Sequence, residues 1–209
     1  LPTEDPRVSQ QMKRILNNKG IDILTETTIE EIVEYRPDGL KARLSNGETL
    51  EAEKLLVSIG RSLNTAGIGL EEVGVELGKR GEIVVDDRMR TNIPGVYAIG
   101  DCVGGILLAH WASFEGICAA ENAMGLESHL DSRVVPACIF TDPEIGSVGL
   151  NPAKAEEQGI EVKVGRFMFG ALGKALAMGK AQGFVQLVVD AKTDVVLGCQ
   201  IMGPHASDL

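Results

Sequence analysis

The last third of the chain carries the pattern that leaves the fewest folding options. "EVKVGRFMF", "GFVQLVVD" and "VVLGCQIMG" follow one another over residues 161–203, rich in β-branched and aromatic residues and separated by turn-forming stretches. They predict an antiparallel sheet with one exposed face. "VVPACIFTDPEIGSVGL", residues 134–150, offers further strands, and "NPAKAEEQG" reads as one short helix with Asn151 as cap and Pro152 in its first position. Phe167, Phe169, Phe184, Leu187 and Val189 are expected in the strands. Exposed together, they would exceed the apolar patch that monomers usually carry, which predicts self-association through this region.

Upstream, the texture changes twice. "VSQQMKRILNNKG" places Met12, Ile15 and Leu16 at helical spacing and closes on Gly20. "IDIL" reads as a short strand. The stretch from Thr28 to Gly60 then reads as three strands, with turns at Pro37-Asp38-Gly39 and Asn46-Gly47. The last of them, Lys54 to Ile59, is nearly continuous in apolar residues, as in a strand covered on both faces of a parallel sheet. From Asn64 onward come a Gly-rich loop (Gly67, Gly69, Gly74), a strand in "GEIVVD", and a short apolar run, Val96 to Ile99. A helix is expected from Leu108 to Met124, stopped at Gly125, its alanines allowing close approach to a sheet. No internal repeat or low-complexity segment interrupts this order.

Charge and composition remove whole classes of function. With 30 acidic against 20 basic residues, a net charge of -10 and a pI near 4.8 argue against binding nucleic acid, which needs a basic face, or an anionic membrane surface. No stretch approaches the roughly 18 apolar residues of a membrane span, and no signal peptide opens the chain. Cys102, Cys118, Cys138 and Cys199 form no CxxC, and His110, His129 and His205 are scattered, so no metal site is expected. Such a balance is ordinary for a cytoplasmic enzyme. Both ends look cut: a helix precedes any strand on which it could pack, and "GPHASDL" stops as a helix begins. The chain reads as a fragment.

"TNIPGVYAIGD" asks for a chemical explanation. Its apolar run ends on Gly100-Asp101, and in open α/β sheets ligands sit beyond the carboxyl ends of strands. Ionised Asp101 is acceptor-only, which suits a hydroxyl-rich chain, and Gly100 lets a ligand approach the backbone. The helix beginning near Leu108 would turn unpaired N–H groups and a positive dipole end to the same place. A flavin fits these features; so does a surface Asp that caps a loop. Spacing alone leaves both readings open.

"TNIPGVYAIGD" with "LLAHWASFEG" resembles the second FAD-binding signature of the pyridine nucleotide–disulfide oxidoreductases. "LLVSIGRSLNT", "GVELGKRGEIVVDDRMRTNIPG", "FTDPEIGSVGL" and "GPHASDL" narrow the resemblance, over essentially the whole chain, to the dihydrolipoamide dehydrogenases of that family. The resemblance implies an α/β fold in three parts. Residues 1–63 would be the C-terminal part of a Rossmann-like NAD domain. Residues 64–133 would be a central FAD-binding segment, and 134–209 the first part of an α+β dimerisation domain with an antiparallel sheet. It implies that Asp101 accepts from the flavin ribityl chain and that Leu107, Leu108, Ala109 and His110 line the flavin. Gly60 and Ile29 match positions near NAD, although an apolar residue such as Ile29 is easily core. It further implies a homodimer, and a lipoyl domain of a 2-oxo acid dehydrogenase complex as the partner of the full-length protein.

The departures matter. Leu63 stands where the family usually has Pro, and Lys174 where some members have Arg. "GIGLEEVG" has Glu72 in place of the third glycine of a GxGxxG, so neither dinucleotide loop is present. The family's redox-active C-x4-C and its His-x-His-Pro are also missing, so no catalytic residue is assigned and the fragment alone is expected to be inactive. Two alternatives stand beside the dehydrogenase: a flavoprotein disulfide reductase of the glutathione or mercuric reductase kind, and a non-catalytic dimerisation module.

Overall fold

A computed structural model describes all residues from Leu1 to Leu209. Two compact units emerge, Gln10–Arg61 and the remainder, Leu1–Ser9 with Ser62–Leu209.

Helix α1, Pro6–Asn18, starts two residues before the expected Val8. The reason is Asp5-Pro6, a cap followed by a first-position proline. Asp5 Oδ1 accepts the Arg7 N–H at 2.7 Å. Val8, Met12 and Ile15 form the buried stripe, and Gly20 ends the helix at φ +80°.

In the smaller unit, β1 (Ile29–Arg36), β2 (Gly39–Leu44) and β3 (Thr49–Ala52) form an antiparallel sheet in that order. Both expected turns are present. Ala42 and Leu44 of the central strand are buried, whereas every residue of β1 is exposed. Two expected strands do not form. Residues 21–24 and 54–59 have no regular structure, and Leu56 and Ile59 are 88% and 94% exposed. An apolar run becomes a strand only when a neighbour accepts its backbone hydrogen bonds, and no strand of this chain pairs with 54–59.

In the larger unit, the five-stranded antiparallel sheet is built as its sequence predicts. β4 (Ala137–Ile139), β5 (Glu144–Gly149), β6 (Val162–Met168), β7 (Phe184–Asp190) and β8 (Val196–Gly203) lie in the order β4-β5-β8-β7-β6. Helix α3, Pro152–Glu157, sits between β5 and β6, and Asn151 Oδ1 accepts the Lys154 N–H at 2.8 Å. A Cβ at Gly198 would run into the Leu150 carbonyl, so β8 passes the end of β5 only as glycine.

The register corrects the expected aromatic patch. Phe184 pairs with Met168 and Met202, on the face where Ile145, Val188 and Met202 are almost fully buried. Phe167 pairs with Val185, and alternation puts Leu187 and Val189 with them on the other face, where Phe167 and Leu187 remain 47% and 42% exposed. Phe169 is not in a strand; it opens a 3-10 turn, Phe169–Ala171. The five side chains therefore do not form one surface. On the buried face Gln186 Nε2 donates to Gln200 Oε1 at 2.8 Å and to Asp5 Oδ2 at 3.0 Å. Arg166 Nε in turn donates to Gln186 Oε1. All three of Asp5, Gln186 and Gln200 are buried, so the cluster fastens Leu1–Ser9 to the sheet with its polar atoms satisfied.

Candidate functional site

Residues 82–104 reach the site as a series of turns, not as strands. Within "GEIVVD", Ile83 makes only an isolated bridge to Leu77, and within Val96–Ile99 Tyr97 makes only one to Arg90. The strand-end geometry expected for Gly100-Asp101 is absent. In its place stands a 3-10 turn, Gly100–Val103, closed by the Gly104 N–H on the Asp101 carbonyl at 3.0 Å. The Ile83 N–H holds the turn from outside through the Cys102 carbonyl at 2.9 Å.

Helix α2, Ala109–Ala123, packs on this turn. Its buried stripe is Trp111, Glu115, Cys118 and Ala119, at the i, i+4, i+7, i+8 spacing of a helix face. Cys118 and Ala119 meet Met89, with Val85, Tyr97 and Leu130 around them. The expected underlying sheet is not there, and Ala109 and Ala120 are exposed. Asn122 fastens the far end, donating to the Cys118 and Ser128 carbonyls at 2.8 Å, and Gly125 stops the helix at φ +84°.

Gly100 is the hinge of the arrangement. Its φ of +76° lies in the left-handed region that glycine adopts at no cost. That conformation turns its N–H onto Glu115 Oε2 at 2.6 Å. Glu115 is 4% exposed. Sequence reasoning passed it over, though it is the one charged residue on an otherwise apolar stripe.

The residues expected at a flavin fall on this turn and helix. Asp101 is exposed on the 3-10 turn, Leu107 and Leu108 lead into α2, and Ala109 and His110 are exposed in its first turn. Leu108 offers no side-chain cap, so the first N–H groups of α2 are not satisfied by a residue at the capping position. His110 Nε2 lies 2.8 Å from the Pro136 carbonyl. An acceptor-only carboxylate on a turn packed against α2, together with a helix start without a capping side chain, offers acceptors for hydroxyls and donors for an anionic ring or phosphate. This donor set fits a flavin.

The other two expected residues lie in the smaller unit. Ile29 begins β1 opposite Leu44 and is 47% exposed, so it is not a core residue. Gly60 has φ +129° and open space where a Cβ would stand. A hollow within this unit, lined by Arg36, Asp38, Glu51 and Glu53 among others, contains neither residue.

No group of three or more His, Cys, Asp or Glu residues is placed to hold a metal, and all four cysteines are free thiols. No helix is long and apolar enough to cross a membrane.

Comparison with known proteins gives these features a context. Residues 1–116 match the family model for pyridine nucleotide-disulphide oxidoreductases, and residues 135–209 match that family's dimerisation domain. A dihydrolipoyl dehydrogenase of Chlamydia trachomatis is 44% identical over all of this chain and 44% of its own length. One of Bacillus subtilis is also 44% identical, over all of this chain and 45% of its own. The chain thus spans less than half the length of these relatives. Among solved structures, LpdA from Mycobacterium tuberculosis superposes with a TM-score of 0.89 at 30% identity, over the whole chain and 45% of its own. The HOCl-induced flavoprotein disulfide reductase RclA from Escherichia coli superposes at 0.87 and 26% identity, over the whole chain and 48% of its own.

Proposed function

Because the chain belongs to the pyridine nucleotide-disulphide oxidoreductase family, we propose that it is part of an FAD- and NAD-dependent dihydrolipoyl dehydrogenase. The full-length protein would oxidise dihydrolipoamide to lipoamide with NAD as acceptor, and these 209 residues alone would not turn over. The observation that carries this reading is the turn Gly100–Val103 packed on α2. The turn bears the Asp101 carboxylate, and the helix starts without a capping side chain, in a chain 44% identical to dihydrolipoyl dehydrogenases along its whole length.

In this reading FAD, when bound, supplies the electron-accepting centre between dithiol and nicotinamide. The chain's own residues bind and orient it. Asp101 accepts hydroxyls of the ribityl chain, and Leu107, Leu108, Ala109 and His110 present the start of α2 to the ring. Gly60 and Ile29 serve the nicotinamide cofactor, Gly60 by leaving its backbone open to close approach. No residue between 1 and 209 is assigned to the thiol chemistry.

We divide the chain into the end of an NAD domain (1–63), a central FAD-binding segment (64–133) and the first part of a dimerisation domain (134–209). The match of 135–209 to the dimerisation-domain model supports the last boundary. Two copies would associate through that domain, and a lipoyl domain of a 2-oxo acid dehydrogenase complex would deliver the substrate. Four free thiols and the acidic balance support a cytoplasmic, reducing location.

Purification of the full-length protein tests the proposal. One FAD per chain and NAD-dependent oxidation of dihydrolipoamide are expected. A colourless protein, or one that oxidises no dithiol, would overturn it.

A further inference from the structure

The buried carboxyl group of Glu115 has no part in the cofactor contacts proposed above. Burying such a group costs several kcal/mol unless its surroundings repay it, and its neighbours on the stripe, Trp111, Cys118 and Ala119, show that an apolar side chain would suit the place. What it does is specific. Its Oε2 takes the Gly100 N–H at 2.6 Å, a short N–H···O bond, and so fixes the Ile99–Gly100 peptide, one residue ahead of Asp101. Ala112, one turn earlier on the same helix, stands where a Cβ on Gly100 would come within 3.5 Å of its own. Gly100 is therefore seated between two residues of one face of α2, and its left-handed φ keeps its N–H aimed at the carboxyl group. The 3-10 turn that carries Asp101 is thereby tied to the same helix whose first residues, Ala109 and His110, are proposed to meet the flavin.

Resting on the flavin reading above, we infer that Glu115 is the positioning residue that holds Asp101 in register with the start of α2 for the flavin's hydroxyl chain. It touches no cofactor itself. Its role is to make Asp101 and the helix one rigid acceptor–donor pair, so its loss acts through Asp101.

The test measures the rate of FAD release from the full-length holoprotein, read as recovery of free-flavin fluorescence. Glu115→Leu removes the acceptor but fills the site with apolar volume, and such replacements are often neutral or stabilising. It should melt, when freed of flavin, no lower than the parent, yet release FAD about tenfold faster, the loss of one hydrogen bond near 1.4 kcal/mol. Glu115→Gln keeps an acceptor oxygen and should stay within about threefold of the parent, given the modest net worth of one bond. In an Asp101→Ala background, Glu115→Leu should add less than about twofold, because contacts that act as a unit are not additive. Unchanged release in Glu115→Leu, or an equal increment in both backgrounds, overturns the inference while leaving the flavin reading intact. Release unchanged by Asp101→Ala alone overturns the reading itself, and the inference with it.

Discussion

Two runs of this chain look alike as strings and behave differently as structure. "GFVQLVVD" becomes β7, paired on both sides, with Phe184 and Val188 essentially inaccessible. "KLLVSIG" stays irregular, with Val57 67% and Ile59 94% exposed. Apolarity does not separate them, since each run is interrupted by a single polar residue, Gln186 in the first and Ser58 in the second. Partnership does. β7 pairs antiparallel with β6 and β8, which stand immediately before and after it in the chain. A strand of the parallel kind depends on neighbours reached by crossovers, and no strand of residues 1–209 lies beside Lys54–Ile59. An apolar run therefore states what a segment needs, and only the rest of the sheet decides whether the need is met.

That contrast can be broken or sharpened by substitution in the 209-residue chain. The largest effect is expected at Phe184, 1% exposed. Phe184→Ala should destabilise the larger unit by about 3–5 kcal/mol, read by urea melts on the fluorescence of its tryptophan, Trp111. Next comes Gln186→Ala, which takes their donor from the buried Asp5 Oδ2 and Gln200 Oε1. A loss of about 1–3 kcal/mol is expected, and a melt equal to the parent would show that the cluster admits water. Asn151→Ala removes the cap of α3 and should cost about 1 kcal/mol by the same melts. The smallest effect belongs to Ile59→Ser, which should stay within about 0.5 kcal/mol by backbone circular dichroism. A loss on the scale of Phe184→Ala there would show the run to be packed, and the comparison would fail.

Legibility in the sequence followed the range of the interactions. Local signals were readable: the Asn151-Pro152 helix start, the Asn46-Gly47 turn, Gly20 and Gly125 as helix ends, and three strands separated by turn residues. The start of α1 is equally local: Asp5-Pro6 opens the helix ahead of Val8, the first apolar position of its stripe. Long-range facts were not readable. Phe184 and Phe167 look equivalent until the register puts them on opposite faces, and Asp5 meets Gln186 across 181 positions of chain. The candidate site was half legible. Gly100, Asp101 and the helix after them could be singled out. The strand supposed to precede them is a set of turns, because the backbone bonds there go to loops such as Ile83 with Cys102 and Ala98 with Met89. Glu115 was hidden by the rule that charged residues face solvent.

The account makes one element, the turn at Gly100–Val103 with the start of α2, the holder of flavin, and makes the five-stranded sheet a scaffold that does not depend on it. Amide hydrogen exchange on the full-length protein, with FAD bound and after its removal, compares the two directly. Removal should speed exchange over residues 99–112 and leave residues 184–203 as protected as before. Equal protection of 99–112 in both states, or a matching loss in the sheet, would contradict it.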